Sequence, residues 1–225
     1  MRTAYERAQE QGEQAIRATL LDAASELLTA EGPQALAMRR IAAEVGCSTT
    51  VLYRMFGGKN GLAEALYTEG FERFRRRLAA VPPHPDPRVH VLELGLAYRD
   101  NALQQRNYYG LMFGHAIPGF TPGDEACRHA AASFSILEEA VAACAEAGHL
   151  IDADPGHVSA ALWATMHGLV SLELAGLLPD PDAVVDTTLR GATAGFFTVP
   201  FRDDSEVVPW PTTSYKVCSP RSSTR

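Results

Sequence analysis

The residues from Arg39 to Leu62 read RRIAAEVGCSTTVLYRMFGGKNGL, and this stretch limits the fold more than any other. Two short runs with helical apolar spacing flank one glycine. Ile41, Ala42 and Val45 share a face of the first run, and Leu52 and Phe56 share a face of the second. Neither run is long enough to be a stable helix alone, so both must lean on something larger. Gly46 allows a sharp turn, and Ser48 is the expected N-cap of the second helix. Gly57-Gly58 ends that helix, and a longer one is expected from Lys59, with Leu62, Leu66, Phe71, Phe74 and Leu78 on its buried side. Upstream, Ile16, Leu20, Ala23, Leu27 and Leu28 mark one face of another helix, closed by Gly32-Pro33.

Helix, glycine turn and short second helix make a helix-turn-helix, whose second helix enters the major groove of DNA. Its outward face here carries Thr49, Thr50, Tyr53 and Arg54. Small hydroxyls permit close approach to base edges. Arg54 can span two acceptors of a guanine, and the Tyr53 hydroxyl can reach a phosphate. Lys59, at the start of the next helix, adds a cation to free backbone N–H groups.

A net charge of −7 looks wrong for a DNA binder, but it is unevenly spread. Residues 1–80 hold eleven Arg or Lys against ten Asp or Glu, whereas the rest hold nine against seventeen. A basic surface on the first part is compatible with an acidic second part. Arg73, Arg75, Arg76 and Arg77 are expected as a solvated helix face. Arg2 and Arg7 are open to two readings, a minor-groove arm or a disordered terminus.

The proline-rich VPPHPDPR, residues 81–88, is a rigid connection. Beyond it the period stays helical over roughly 88–106, 108–115, 124–147, 156–178 and 181–197, with no strand alternation and no internal repeat. The polar, proline-containing segment 200–225 is expected as a disordered tail. The polar N-terminus is not a secretory signal, no apolar run reaches membrane-spanning length, and four widely separated cysteines suit a reducing cytoplasm.

At Arg39, Ile41-Ala42, Gly46, Ser48, Leu52-Tyr53, Phe56, Lys59 and Leu62 the chain resembles the TetR family of transcriptional regulators, over about residues 12–66. The resemblance implies Arg39, Ser48, Thr49, Thr50, Tyr53, Arg54 and Lys59 as the DNA-contacting set. Ala37 departs from the Thr or Ser cap usual before the first short helix, and Cys47 stands where a small apolar residue is usual. A second stretch, LWATMHGLVSLELAGLL, with NYYGLMFG before it, is similar to the effector domain of one TetR branch named for its Trp, His and Gly, here Trp163, His167 and Gly168. That likeness implies a helical domain that dimerises and encloses a small-molecule pocket. Trp163, His167, Val170 and Leu174 form one stripe, and Leu162, Met166 and Leu169 a second. A helix so apolar must be covered on two sides. Gly191, Ala194 and Gly195 permit close approach of another helix. Candidate pocket residues are Tyr98, Tyr108, Tyr109, Met112, Phe113, Phe120, Phe134, Trp163, Met166 and His167. Each is equally the kind of residue that fills a plain core.

The expected fold is therefore all-α. A three-helix helix-turn-helix head spans 1–66 with a flexible arm at 1–11, a helical effector and dimerisation domain spans 67–199, and a tail follows. The expected function is a cytoplasmic, homodimeric repressor released from a palindromic operator by a small apolar or aromatic effector, without cofactor or metal. No phosphate loop, nucleophile elbow or His-Glu-x-x-His motif points to an enzyme. Two alternatives stay open: a metal-responsive regulator using His115 or His129 with Asp124 or Glu125, and a helical binding protein or enzyme whose N-terminal corner imitates the motif.

Overall fold

The computed structural model describes residues 3–114 and 116–197. Arg2, His115 and the expected tail 200–225 lie outside the described residues. Within them the chain forms nine α-helices and one short 3-10 helix, and its one β-type pairing is an isolated bridge between Leu150 and Phe197. Among the described residues no helix is long and apolar enough to cross a membrane. The helices are α1 (Ala4–Glu31), α2 (Met38–Val45), α3 (Thr49–Phe56), α4 (Lys59–Ala79) and α5 (Pro87–Gln104), followed by α6 (Arg106–Phe113), α7 (Asp124–Glu146), α8 (Pro155–Leu174) and α9 (Pro181–Phe196).

Local chemistry sets many of the ends. Asp86-Pro87, Asp154-Pro155 and Asp180-Pro181 open α5, α8 and α9 in the same way. Each aspartate carboxylate accepts from a backbone N–H of the first turn, at 2.9, 3.0 and 3.2 Å. Each proline has its ring where the missing N–H costs nothing. Gly46, at φ 73°, closes α2 in the left-handed region. Residues 4–11, expected as a flexible arm, are instead the first turns of α1. A capping box secures them, with Thr3 accepting from the Glu6 N–H and Glu6 accepting from the Thr3 N–H. Ile16 is also a correction. It is 48% exposed, because the buried part of α1 begins only at Leu20.

Two apolar clusters form. Leu20, Leu21, Leu36, Ile41, Leu52, Leu62 and Leu66 are fully buried in the first, at roughly 1.5–3 kcal/mol each. Phe71, Phe74, Leu94, Val141, Val170 and Val185 belong to the second. Two helices serve both. The first half of α4 is in the first cluster and its second half in the other. On α6, Tyr108 and Leu111 join the first cluster while Tyr109 and Met112 join the second. The α4–α6 contact is close enough to need a glycine: a Cβ on Gly70 would stand 2.9 Å from Met112 Cγ.

Arg99, 6% exposed, ties three helices together. From α5 its guanidinium donates to Glu173 on α8 at 2.6 and 2.7 Å and to Asp182 on α9 at 2.7 Å. The outward side of α8 remains uncovered at Ala160, Ala164, Gly168 and Leu172, as does that of α9 at Gly191, Ala194 and Gly195.

Candidate nucleic-acid interface and internal cavity

The exposed surface of the first cluster is built on α2 and α3. Leu52 and Phe56 bury one side of α3, which leaves Thr50, Tyr53 and Arg54 exposed and Thr49 half-buried. Tyr53 keeps 55% of its surface open, unusual for a large aromatic with no role outside the fold. Ser48 occupies the N-cap position of α3, as expected, but its side chain makes no capping bond. The hydroxyl is left available to a partner. Ala37 likewise caps α2 without a side-chain bond.

The two adjacent arginines of α2 differ. Arg40 donates to Glu31 at 2.6 Å and to Glu44 at 2.6 Å, which clamps α2 to the end of α1. The bond from Arg40 holds the Glu31 carboxyl below its usual range. Arg39 is exposed and makes no ion pair among the described residues, and the same holds for Arg54. Lys59 Nζ reaches the Pro33 carbonyl at 3.4 Å and stays exposed, with further donors free. Of the four arginines expected as a solvated face, Arg75, Arg76 and Arg77 are held by carboxylates of Glu69, Glu72 and Asp100, and Arg73 turns inward.

The second cluster surrounds a cavity of about 520 Å³ that is partly open to solvent, within the usual range for a small-molecule site. Tyr98 of α5, Met112 and Phe113 of α6, Phe134 of α7, and Trp163 and Met166 of α8 all line it. Tyr109 and His167 stand behind this wall. Their side chains meet Tyr98 in a triangle: Tyr109 Oη is 2.8 Å from His167 Nδ1, Tyr98 Oη is 3.0 Å from the same nitrogen, and the two phenols are 3.2 Å apart. Burial pushes both tyrosines above the usual phenol range and His167 below the usual imidazole range, so the triangle is uncharged near neutral pH.

Tyr108 is elsewhere. It lies on the other side of α6, in the first cluster, with its hydroxyl donating to Asp22 at 3.0 Å and the Arg73 guanidinium 4.5 Å above its ring. Phe120 also packs on the first cluster. Sequence reasoning missed Tyr67, Phe71, Phe74, Leu92 and Leu189 as cavity walls. Their helical spacing gives no sign of whether the space opposite is filled. Among the described residues no group of three or more His, Cys, Asp or Glu is placed to hold a metal ion. His129 faces only Glu72, at 3.7 Å, and His115 lies outside the described residues.

Two family models match the chain. Residues 20–66 match "Bacterial regulatory proteins, tetR family", and residues 91–192 match "Tetracyclin repressor-like, C-terminal domain". Neither description carries the Trp-His-Gly branch expected from the sequence. Among solved structures, the chain is similar to a protein of unknown function from Rhodococcus sp. RHA1, at 27% identity and a TM-score of 0.70, over 80% of this chain and 94% of that one. A TetR family transcription regulator from Marinobacter aquaeolei VT8 shares the fold at 16% identity and a TM-score of 0.68, over 85% and 98% of the two chains. The transcriptional regulator FadR from Bacillus subtilis, in complex with stearoyl-CoA, shares it at 15% identity and a TM-score of 0.66, over 79% and 97%. No curated protein matches the chain. The two family models together cover most of the chain, the first of them on the helix-turn-helix whose Arg39, Arg54 and Lys59 are exposed. The chain belongs to the TetR family and is a DNA-binding transcriptional regulator, not an enzyme.

Proposed function

We propose that the protein is a cytoplasmic homodimeric repressor, that two copies of the head grip a palindromic operator, and that a small, largely apolar effector entering the cavity releases it. In this reading the head is residues 1–66, the effector and dimerisation domain is 67–199, and the DNA-contacting set is Arg39, Ser48, Thr49, Thr50, Tyr53, Arg54 and Lys59. The observation that carries it is α6. Met112 lines the cavity, and Leu111, beside it in sequence, is buried in the head cluster. A ligand that displaces Met112 acts on the same rigid helix that supports the head. Half-sites one turn apart, ~34–36 Å, tolerate little change in head separation. The ligand needs only to prefer the splayed arrangement. FadR, of the same fold, is known with stearoyl-CoA bound, which supports an apolar occupant. The uncovered small-residue faces of α8 and α9 support a partner copy.

The test is fluorescence anisotropy on DNA from upstream of the protein's own gene, with sedimentation on the same samples. A dimer bound to one site with palindromic protection supports the reading. Binding equal on random DNA, or by a monomer, removes it.

A further inference from the structure

The cavity is nearly without polar groups, and those present are unequal. Among the described residues no charged side chain lines it. Among the described lining residues, side-chain polar atoms come from Tyr67, Tyr98, Ser133 and Trp163. The Ser133 hydroxyl donates to the Ala130 carbonyl at 2.7 Å. Tyr67 is half-buried, with Glu64 and Cys127 acting on its hydroxyl from outside. Trp163 is 38% exposed, and its indole N–H already donates to Tyr98. Tyr98 alone of the four is both buried and backed by a polar network, the triangle with Tyr109 and His167.

The protons of that triangle do not close on themselves. With the imidazole proton on Nε2, Nδ1 accepts the Tyr109 hydroxyl at 2.8 Å, and Tyr98 donates to the Tyr109 oxygen. Of the two lone pairs on the Tyr98 oxygen, the indole N–H of Trp163 then reaches one and the other stays open. With the proton on Nδ1, three protons share two oxygens, and the Tyr98 hydroxyl is free to donate. Turning the imidazole tautomer thus turns Tyr98 from acceptor to donor. Neither state leaves a net charge.

We propose that Tyr98, set by His167 and Tyr109, is the polar anchor of the effector site, and that it selects an uncharged, mostly hydrocarbon ligand bearing a single hydroxyl or carbonyl. This rests on reading the cavity as the effector site. A carboxylate or phosphate drawn inside would find no cation among the described lining residues, and an unpaired buried charge is strongly disfavoured. An alcohol meets an acceptor and a ketone meets a donor, each by a shift of tautomer.

Three probes of one shape test this: pyrene, 1-pyrenemethanol and 1-pyrenecarboxylate, titrated at pH 8 with pyrene emission as the readout. On the wild-type protein the alcohol should bind roughly three- to tenfold tighter than pyrene, the range of one added neutral hydrogen bond. The carboxylate should bind about a hundredfold more weakly than the alcohol, as expected for a buried charge without a partner. Tyr98→Phe should remove the advantage of the alcohol and leave pyrene unchanged. A carboxylate that binds as tightly as the alcohol overturns the selection of neutral ligands on the wild-type protein, whatever the variant does. An alcohol advantage that survives in Tyr98→Phe overturns the anchor. If none of the three probes binds, the cavity is not an effector site, and the underlying reading falls together with the anchor.

Discussion

The phenol of Tyr108, on α6, donates to the carboxylate of Asp22, on α1, across 3.0 Å. Arg73 of α4 closes the group, pairing with Asp22 at 2.8 Å and lying over the Tyr108 ring. Burial pushes the phenol well above its usual range, so it stays a donor at any working pH. The next residue, Tyr109, faces the His167 triangle behind the cavity wall. Adjacent tyrosines therefore tie α6 to both clusters at once.

Tyr108→Phe removes that bond without emptying the site. Asp22 keeps Arg73 and is partly solvated, so the melting point should fall only slightly. The ligand-free protein should bind operator about two- to fivefold more weakly, as the loss of one modest hydrogen bond allows. Anisotropy on operator DNA reads this directly. Unchanged affinity together with an unchanged ligand response would make Tyr108 a packing residue and no more.

Gly70→Ala places a methyl 2.9 Å from Met112 Cγ and 3.0 Å from its sulfur. Met112 is flexible and lines the cavity, so it is the group that moves. A stability loss of about 1–3 kcal/mol is expected from the overpacking. Binding of 1-pyrenemethanol should weaken more than operator binding does. Operator binding lost first, with probe binding intact, would show that α6 shifts as a body and Met112 does not.

The order of helices was legible because the chain punctuates itself. Asp-Pro opens three helices, and Gly46, Gly57 and Gly148 follow the ends of three others. The outward set on α3 was also legible, since Leu52 and Phe56 leave one side for everything else. The division between neighbours was not. Nothing in RR says that Arg40 is clamped by two glutamates while Arg39 stays exposed. Nothing in YY says that one tyrosine serves the head and the other the cavity. Each depends on what a distant helix presents, and the period of a single helix carries no information about that. The spacing of Phe71 and Phe74 puts them on the buried side of α4 and says no more, since a wall and a filler have the same spacing.

Arg54 and Lys59 should separate in their effects on DNA. Arg54→Ala should weaken specific binding by ~1–3 kcal/mol and relax one base position in each half-site. Lys59→Ala should weaken all sequences alike and lower the salt slope by about one. Arg40→Ala should act on the melting curve instead, because its guanidinium is already held by Glu31 and Glu44. Binding selections at several salt concentrations distinguish the three. A base preference altered by Arg40→Ala would mean that the clamp opens on DNA.

Gly195→Leu tests the partner copy. A Cβ there meets nothing within 4 Å among the described residues, so the change has no clash to relieve with them. Leucine is also the better helix former, by roughly 0.8–1 kcal/mol over glycine. The isolated chain should be no less stable, and any loss must come from a neighbouring molecule. Sedimentation should show monomers that no longer hold the operator. A stable dimer of Gly195→Leu would move the interface away from the end of α9.

Trp163→Ala separates wall from filler. A fully buried tryptophan truncated to alanine costs ~3–5 kcal/mol. Trp163 is not such a residue. It is 38% exposed, and another side of it faces the cavity. Its ring contacts are to Phe134 at 5.8 Å, His167 at 5.9 Å and Phe113 at 6.3 Å between centroids. With a void and solvent already beside it, removal creates little new cavity, and a loss nearer ~1–2 kcal/mol follows from the smaller buried area. Operator binding should persist. The cavity, opened along α8, should hold 1-pyrenemethanol several-fold more weakly, in proportion to the aromatic contact removed. Thermal melting and probe titration on the same preparation check both halves. A variant that melts far below the wild type yet binds the probe normally would show that the Trp163 ring supports the fold and that the ligand lies against the α5 and α9 side of the cavity instead.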